Sequence, residues 1–323
     1  MEPLAAISHH VPTVSVILPF FNRAATLGRC VESVRAQTFT EWELVAVDDG
    51  SSDCSVEVVQ QMADQRVRVL RHETNRGAGP ARDTGMESAR GEWLALIDSD
   101  DEWLPGKLAA QLAALEGSGA ALGSCAFHFV RDGATRLWPK PFDSSSWEKA
   151  LHRECTFGFG STLLIRREVA LALGSFDREL PRHEDWDWVL RAFEAGHQLA
   201  FVREPLARVH AVDAVQLDRF VPSTHRFLAK HDSAIRKFGE DYRRQVHAHH
   251  FESIASMAYE QRRYALGHQY LLRSFGAWPL RNPLPLAAVP LGGLDWLLGT
   301  RMIQRAADAR RALLGETAVA SRG

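Results

Sequence analysis

Four times before residue 117, a short apolar or β-branched run is followed by a turn and then a helical pattern. The runs are residues 13–19, 42–47, 67–71 and 93–97. The helical stretches cover residues 24–37, about 53–65, 80–89 and 105–116. Runs of that length bounded by turn residues suit buried strands, and the helices show one apolar stripe, as with Leu27, Val31 and Val34. Alternation of this kind leaves few architectures open: a mostly parallel sheet with helices on both faces. Further strands are expected at residues 120–130, 161–165 and 198–203, and helices at 168–173 and from the Glu184 region to about 195. Residues 131–156 read as an irregular segment. Strand signals stop near Ala214. The division expected is a leader over residues 1–12, an α/β domain over 13–213 and a C-terminal helical region over 214–323.

Charge follows that division. The chain of 323 residues carries 38 Lys and Arg against 40 Asp and Glu. After residue 213 the balance is 16 against 9, so before it the balance is 22 against 31. A net charge of −2 gives no general attraction for nucleic acid, and no such partner is expected. Cys30, Cys54, Cys125 and Cys155 form no C-x-x-C pair and read as buried free thiols of a reducing compartment. The N-terminus lacks the basic and long apolar regions of a signal peptide, and no apolar run reaches membrane-spanning length.

The acids at strand ends carry the chemistry. Trp93-Leu94-Ala95-Leu96-Ile97 runs straight into Asp98-Ser99-Asp100-Asp101-Glu102. In an extended chain Asp98 and Asp100 share a face, where two carboxylates raise each other's pKa unless a positive charge intervenes. A hard divalent cation, Mn²⁺ or Mg²⁺, meets that need with oxygen ligands. The carboxyl ends of parallel strands are also where open sheets bind ligands. Alone, the same acids would read as a solvated turn. Asp48-Asp49 ends the second strand, where a carboxylate could accept from a nucleobase N–H or a ribose hydroxyl, or shape the turn. Gly77-x-Gly79-x-x-Arg82 suggests a dinucleotide loop, but Arg82 replaces the third glycine. Arg82 could instead neutralise a phosphate, or be an ordinary exposed helix arginine. Glu184-Asp185 opens a helix, where acids are favoured by the macrodipole. Trp186 and Trp188 beside them would shield a carboxylate and raise its pKa, as a general base requires. His210, after the last strand, could complete a metal site.

These stretches, namely VSVILPFFNRAATLGRCVESVRAQTFTEWELVAVDDGSSD, NRGAGPARDTGMESARGEWLALIDSDDEWLPGKL, GSFDREL and HEDWDWVLRAFEAG, resemble in order and spacing the family 2 glycosyltransferases of bacterial type, over roughly residues 13–210. The resemblance implies a GT-A-type nucleotide-sugar-binding fold, Rossmann-like, with a C-terminal helical region beyond it. It implies metal-dependent, inverting transfer of a sugar from a nucleotide-sugar donor, a UDP-sugar, to an acceptor hydroxyl. The setting would be polysaccharide or glycoconjugate synthesis in the cytoplasm or at the inner face of the cell membrane. Pro19, Phe20, Asn22 and Arg23 match the first nucleotide loop. Asp48, with Asp49, matches the acid that contacts the base. Asp98, Ser99 and Asp100 match the D-x-D, with Asp98 on the ribose side and Asp100 on the metal. Asp185 matches the catalytic base with Glu184 beside it, and His210 a later metal-contacting histidine. Phe20 and Asp83 depart from the commoner residues and bear on donor choice. The implied partners are a nucleotide sugar and a glycan or lipid-linked acceptor. Residues 284–298, with Trp296 and flanking Arg281 and Arg301, could lie at a membrane interface or form a helical cap. The competing reading is a catalytically inactive nucleotide-sugar-binding or scaffold protein, against which the intact D-x-D and Glu184-Asp185 argue.

Overall fold

A computed structural model describes residues 11–131, 133–138, 147–153, 158–211 and 215–278. The expected leader, apart from its last two residues, and the expected membrane-interface segment at 284–298 lie outside the described residues. The chain forms two compact units, residues 1–238 and 239–323. The first therefore extends beyond the boundary suggested near Ala214. The reason is α9 (Leu217–Arg236), whose Phe227 joins the same core as the preceding α/β elements.

In the first unit β1 (Val14–Phe20), β2 (Trp42–Asp48), β3 (Val67–Arg71) and β4 (Trp93–Leu96) form a parallel half-sheet in the order β3-β2-β1-β4. Between them run α1 (Ala24–Arg35), α2 (Ser55–Gln61) and α3 (Ala78–Ser88). Strand side chains alternate faces, so each strand feeds two cores. Ile17, Val45, Val47, Leu94 and Leu96 pack on one face. Val16, Leu18, Leu44, Ala46, Ala95 and Ile97 pack on the other, with Leu27, Val31 and Val34 of α1. Pro19 does not end β1, which runs to Phe20. Ile17 O receives Ile97 N on the β4 side, so by alternation Pro19 N also faces that side. The last β1 residue paired with β4 is Ile17, so the missing donor deprives no ladder.

The second half of the sheet departs from the mostly parallel expectation. Past the two-residue β5 (Glu102–Trp103) come α4 (Lys107–Leu115), β6 (Leu122–Arg131), β7 (Ala134–Trp138), α5 (Trp147–Arg153), α6 (Phe159–Thr162), β8 (Leu164–Arg166), α7 (Arg167–Leu173), α8 (Glu184–Glu194) and β9 (Leu199–His210). The sheet continues β4-β8-β6-β9-β5, with β7 on β6. The pairs β4·β8, β8·β6, β6·β7 and β9·β5 are antiparallel, and β6·β9 is parallel. Residues 159–162, expected to lead into and open a strand, form α6, and α5 lies within the segment expected to be irregular. The last strand continues past residue 203 because a register shift opposite Cys125 and Ala126 takes up the extra residues before Pro205.

In the second unit α10 (Glu240–Glu260) and α11 (Tyr264–Ala277) form a helical hairpin turned at Arg262, whose φ is 60°. The Tyr259 ring lies against Gly267, where a Cβ would fall 2.8 Å from it. Phe251 meets Tyr270 at 5.8 Å between ring centroids.

Candidate active site

The acidic stretch emerges from β4 as a turn and not as an extended strand. Asp101 N donates to Asp98 O at 3.0 Å, closing it. The turn is stitched at several points. Asp98 N donates to Ser161 Oγ at 3.0 Å, and Ser161 Oγ also donates to Asp101. The other Asp101 oxygen accepts His210 N at 2.8 Å, so the end of β9 is tied to the acids. Thr26 Oγ1 donates to Ser99 O at 2.9 Å, and Arg29 Nη2 to Asp100 O at 2.6 Å. A Cβ on Gly160 would lie 2.0 Å from Asp98 Oδ2, so the carboxylate occupies space that only glycine leaves open. Ser161 and Gly160 were not among the residues read from the sequence. Their one local signal is the Gly158-x-Gly160 pair before a buried run.

Arg82 joins the two acidic motifs. It is 4% exposed, on the first turns of α3. Its Nη2 donates to Asp98 Oδ1 at 2.7 Å and its Nη1 to Glu184 Oε1 at 3.2 Å. Asp98 and Glu184, far apart in sequence, thus meet through one guanidinium, whose fork suits two acceptors at once. Asp185 stands beside this pair at the start of α8, its Oδ1 accepting Trp186 N at 2.8 Å. Burial, then the Asp185 charge, pushes Glu184 up to about 6 against the pull of Arg82. Burial also raises Asp185, with Arg82 opposing and Asp98 adding to the rise.

Asp100 is raised by burial and by Asp98 beside it. Arg23 Nη2 reaches to 4.0 Å from Asp100. The repulsion expected between the two D-x-D acids is therefore present, in a turn that leaves carboxylate oxygen as the donor type. That donor set fits a hard divalent cation on Asp100 and Asp98. Among the described residues no cluster of three or more His, Cys, Asp or Glu forms a complete metal site. His210 lies at this end of β9, but its Nε2 donates to Glu102 Oε1 at 3.0 Å, which leaves Nδ1 as its available ring nitrogen.

The remaining residues singled out in the sequence serve loops. Asn22, at φ 52°, gives its N–H to Ser51 Oγ and accepts Ser52 N, each at 2.9 Å. Arg23 N donates to Ser55 Oγ at 2.7 Å. Pro19 and Phe20 are buried at the end of β1. Asp48 is fully buried, its Oδ1 accepting Ser51 N at 2.8 Å. Its Oδ2 lies 3.0 Å from Arg71 Nε, an ion pair too bent to count as a hydrogen bond. Asp49 accepts Arg76 N and Gly77 N and pairs with His72 Nδ1 at 2.7 Å, fastening the loop before α3. Both Asp49 oxygens accept hydrogen bonds from the protein, whereas Asp48 Oδ2 has only the Arg71 charge beside it. Cys54 is exposed, unlike the buried Cys30 and Cys125.

The same architecture is found in solved structures. Staphylococcus aureus TarS, residues 1–349 with UDP-GlcNAc, superposes with a TM-score of 0.57 at 17% identity, covering 81% of this chain and 89% of that one. The mannosyltransferase PcManGT of Pyrobaculum calidifontis, with GDP-Man and Mn²⁺, gives 0.53 at 20%, covering 95% and 88%. The fold is thus that of the GT-A glycosyltransferases. Residues 15–174, just under half of the chain, match the sequence profile of glycosyl transferase family 2. EpsH of Bacillus subtilis is 33% identical over 223 residues, 64% of this chain and 63% of that protein. ExoO of Rhizobium meliloti, a succinoglycan biosynthesis protein, is 28% identical over 245 residues, 72% and 70% of the two chains. The chain therefore spans just under two thirds of EpsH.

Proposed function

We propose that the protein is an inverting, metal-dependent glycosyltransferase. It moves a sugar from a nucleotide-sugar donor, a UDP-sugar, to an acceptor hydroxyl of a glycan or lipid-linked glycan in polysaccharide synthesis. The observation that carries this reading is the single guanidinium of Arg82 between Asp98 and Glu184, which sets the acids of the strand end beside those of α8. The match to glycosyl transferase family 2, and the nucleotide sugars bound by TarS and PcManGT, support it.

Asp185 is the base of this reaction. Glu184 is occupied by Arg82, whereas Asp185 opens the same helix with a raised pKa suited to proton uptake. Asp185 takes the acceptor hydroxyl's proton as that oxygen bonds to the anomeric carbon. The bond from that carbon to the diphosphate oxygen breaks, and the nucleoside diphosphate leaves with the electron pair. A divalent cation held by Asp100 and Asp98, when bound, supplies positive charge to the departing diphosphate. Arg23, reaching toward Asp100 from the first loop, adds a cation on the same side. A lipid-linked acceptor would bring the protein to the inner face of a membrane; no helix among the described residues is long and apolar enough to cross one.

The test is release of nucleoside diphosphate by the purified protein from a panel of UDP-, GDP- and dTDP-sugars, with and without Mn²⁺. Metal-dependent release from one donor is expected. Failure to bind any nucleotide would overturn the reading.

A further inference from the structure

His183 is the residue from which α8 departs, immediately before Glu184 and Asp185. It is one of three non-glycine residues with positive φ among the described residues, at 71°. Such a conformation is strained for a residue with a side chain and persists where the surroundings impose it. Its carbonyl accepts Asp187 N at 2.7 Å, so the hydrogen bonding of α8 begins there. Its ring stands edge-on to Trp186, Phe220 and Phe227, at centroid distances of 5.1, 4.8 and 5.7 Å. Its Nε2 meets Thr224 Oγ1 of α9 at 3.0 Å.

Thr224 Oγ1 also lies 2.9 Å from Phe220 O, to which it can donate its one hydroxyl proton. With the proton so placed, the hydroxyl accepts from a His183 ring that carries its hydrogen on Nε2. Burial, with Arg182 adding to it, pushes the ring down to about 4, so it is neutral near pH 7. One residue earlier, Arg182 N donates to Ser223 Oγ at 3.3 Å. Two consecutive hydroxyls of α9 thus hold the two residues that precede the acids. Ser223 and Thr224 lie outside the segment matched by the family profile.

We propose that Thr224 and His183 are positioning residues that set the direction in which α8 presents Asp185 to the acceptor hydroxyl. This rests on the reading of Asp185 as the base. Without the hydroxyl as acceptor, the ring loses its polar anchor and the left-handed backbone at His183 can relax. The first turn of α8 then shifts, and a displacement of about 1 Å at a reacting group is enough to lower a rate about a hundredfold.

Thr224→Val keeps the side-chain shape and deletes the hydroxyl; Thr224→Ser keeps the hydroxyl. For the donor that the wild-type protein turns over, Thr224→Val should lower kcat by about tenfold or more. The affinity for the matching nucleoside diphosphate with Mn²⁺ should stay within about twofold, because Asp98 and Asp100 lie on another element. Thr224→Ser should retain the wild-type kcat. Nitrogen NMR should show His183 protonated on Nε2 in the wild type. Wild-type kcat in Thr224→Val would overturn the proposal. So would an equal loss in Thr224→Ser, or nucleotide affinity falling together with kcat, which would mark general loosening. A wild-type protein that binds no nucleotide would instead defeat the reading of the site, and the proposal with it.

Discussion

At the scale of single residues, the site is a balance of buried like charges around one cation. Arg82 donates to Asp98 and Glu184 but makes no hydrogen bond to Asp185, whose carboxyl is raised by burial against the pull of the Arg82 charge. A base of this kind works only when ionised. Transfer should therefore rise with pH as the lifted carboxyl loses its proton, and the midpoint should lie above the ordinary aspartate range. Asp185→Asn should lower kcat by roughly 10²–10⁴-fold with nucleotide affinity retained. Steady-state kinetics beside calorimetric titration with UDP and Mn²⁺ would check both. The linkage has a definite sign. A carboxyl with a raised folded pKa holds its proton more tightly in the folded protein, so its ionisation weakens folding as pH rises past the unfolded value. Asp185→Asn should therefore be no less stable than wild type at neutral pH in urea melts. Wild-type turnover in that variant would remove Asp185 as the base.

At the scale of elements, the site depends on how closely α3 approaches the sheet. A Cβ on Gly85 would fall 2.6 Å from Ile17 Cγ2 and 3.3 Å from Val47 Cγ2. The glycine lets α3 lie on β1 and β2, and α3 delivers Arg82 to the acids. Gly85→Ala should cost about 1–3 kcal/mol through overpacking, measured as a lower urea midpoint with an unchanged slope. Nucleotide binding should weaken as well, because the helix carrying Arg82 must lift. This element was legible in sequence as a helical stretch over residues 80–89. Its register against Ile17 was not, because that distance depends on where two separate strands place their side chains.

At the scale of the first unit, a second buried ionic network ties α8 to α9 behind the site. Asp187 is fully buried and contacts Lys230 Nζ at 2.7 Å, His231 Nε2 at 3.0 Å and Arg191 Nε at 3.1 Å. His231 Nδ1 meets Glu194 Oε1 at 2.7 Å, and the Phe227 ring lies 4.7 Å from the imidazole. Although burial opposes it, the hydrogen bonds that His231 donates to Asp187 and Glu194 raise its pKa. Burial raises Glu194, but His152, 3.8 Å away, and the hydrogen bond from His231 outweigh it and lower Glu194 to about 2. The stabilisation from His231 is complete below the ordinary histidine value and is lost as pH rises through the raised folded value. That from Glu194 is complete above the ordinary glutamate value and is lost as pH falls toward about 2. His231→Gln should lose on the order of 1–3 kcal/mol near pH 6 and much less on the alkaline side. Melting temperatures across that range would show the two curves converging; a constant gap would refute a charged His231.

What the sequence by itself determined is the set of local patterns: the four strand–helix alternations, the acids at strand ends, the acidic start of α8 and the helical character after residue 214. These depend on neighbours within a few residues, where periodicity and turn chemistry act. Only the tertiary structure decided the antiparallel half of the sheet, the turn that replaces an extended D-x-D, and the burial of Asp48 and Asp49 in loop contacts. It also decided the meeting of Arg82 with Asp98 and Glu184, and the left-handed backbone at His183 under α9. Each of these depends on groups tens of residues apart sharing a buried space, where an unpaired charge is costly and its partner is whichever element the packing brings within reach.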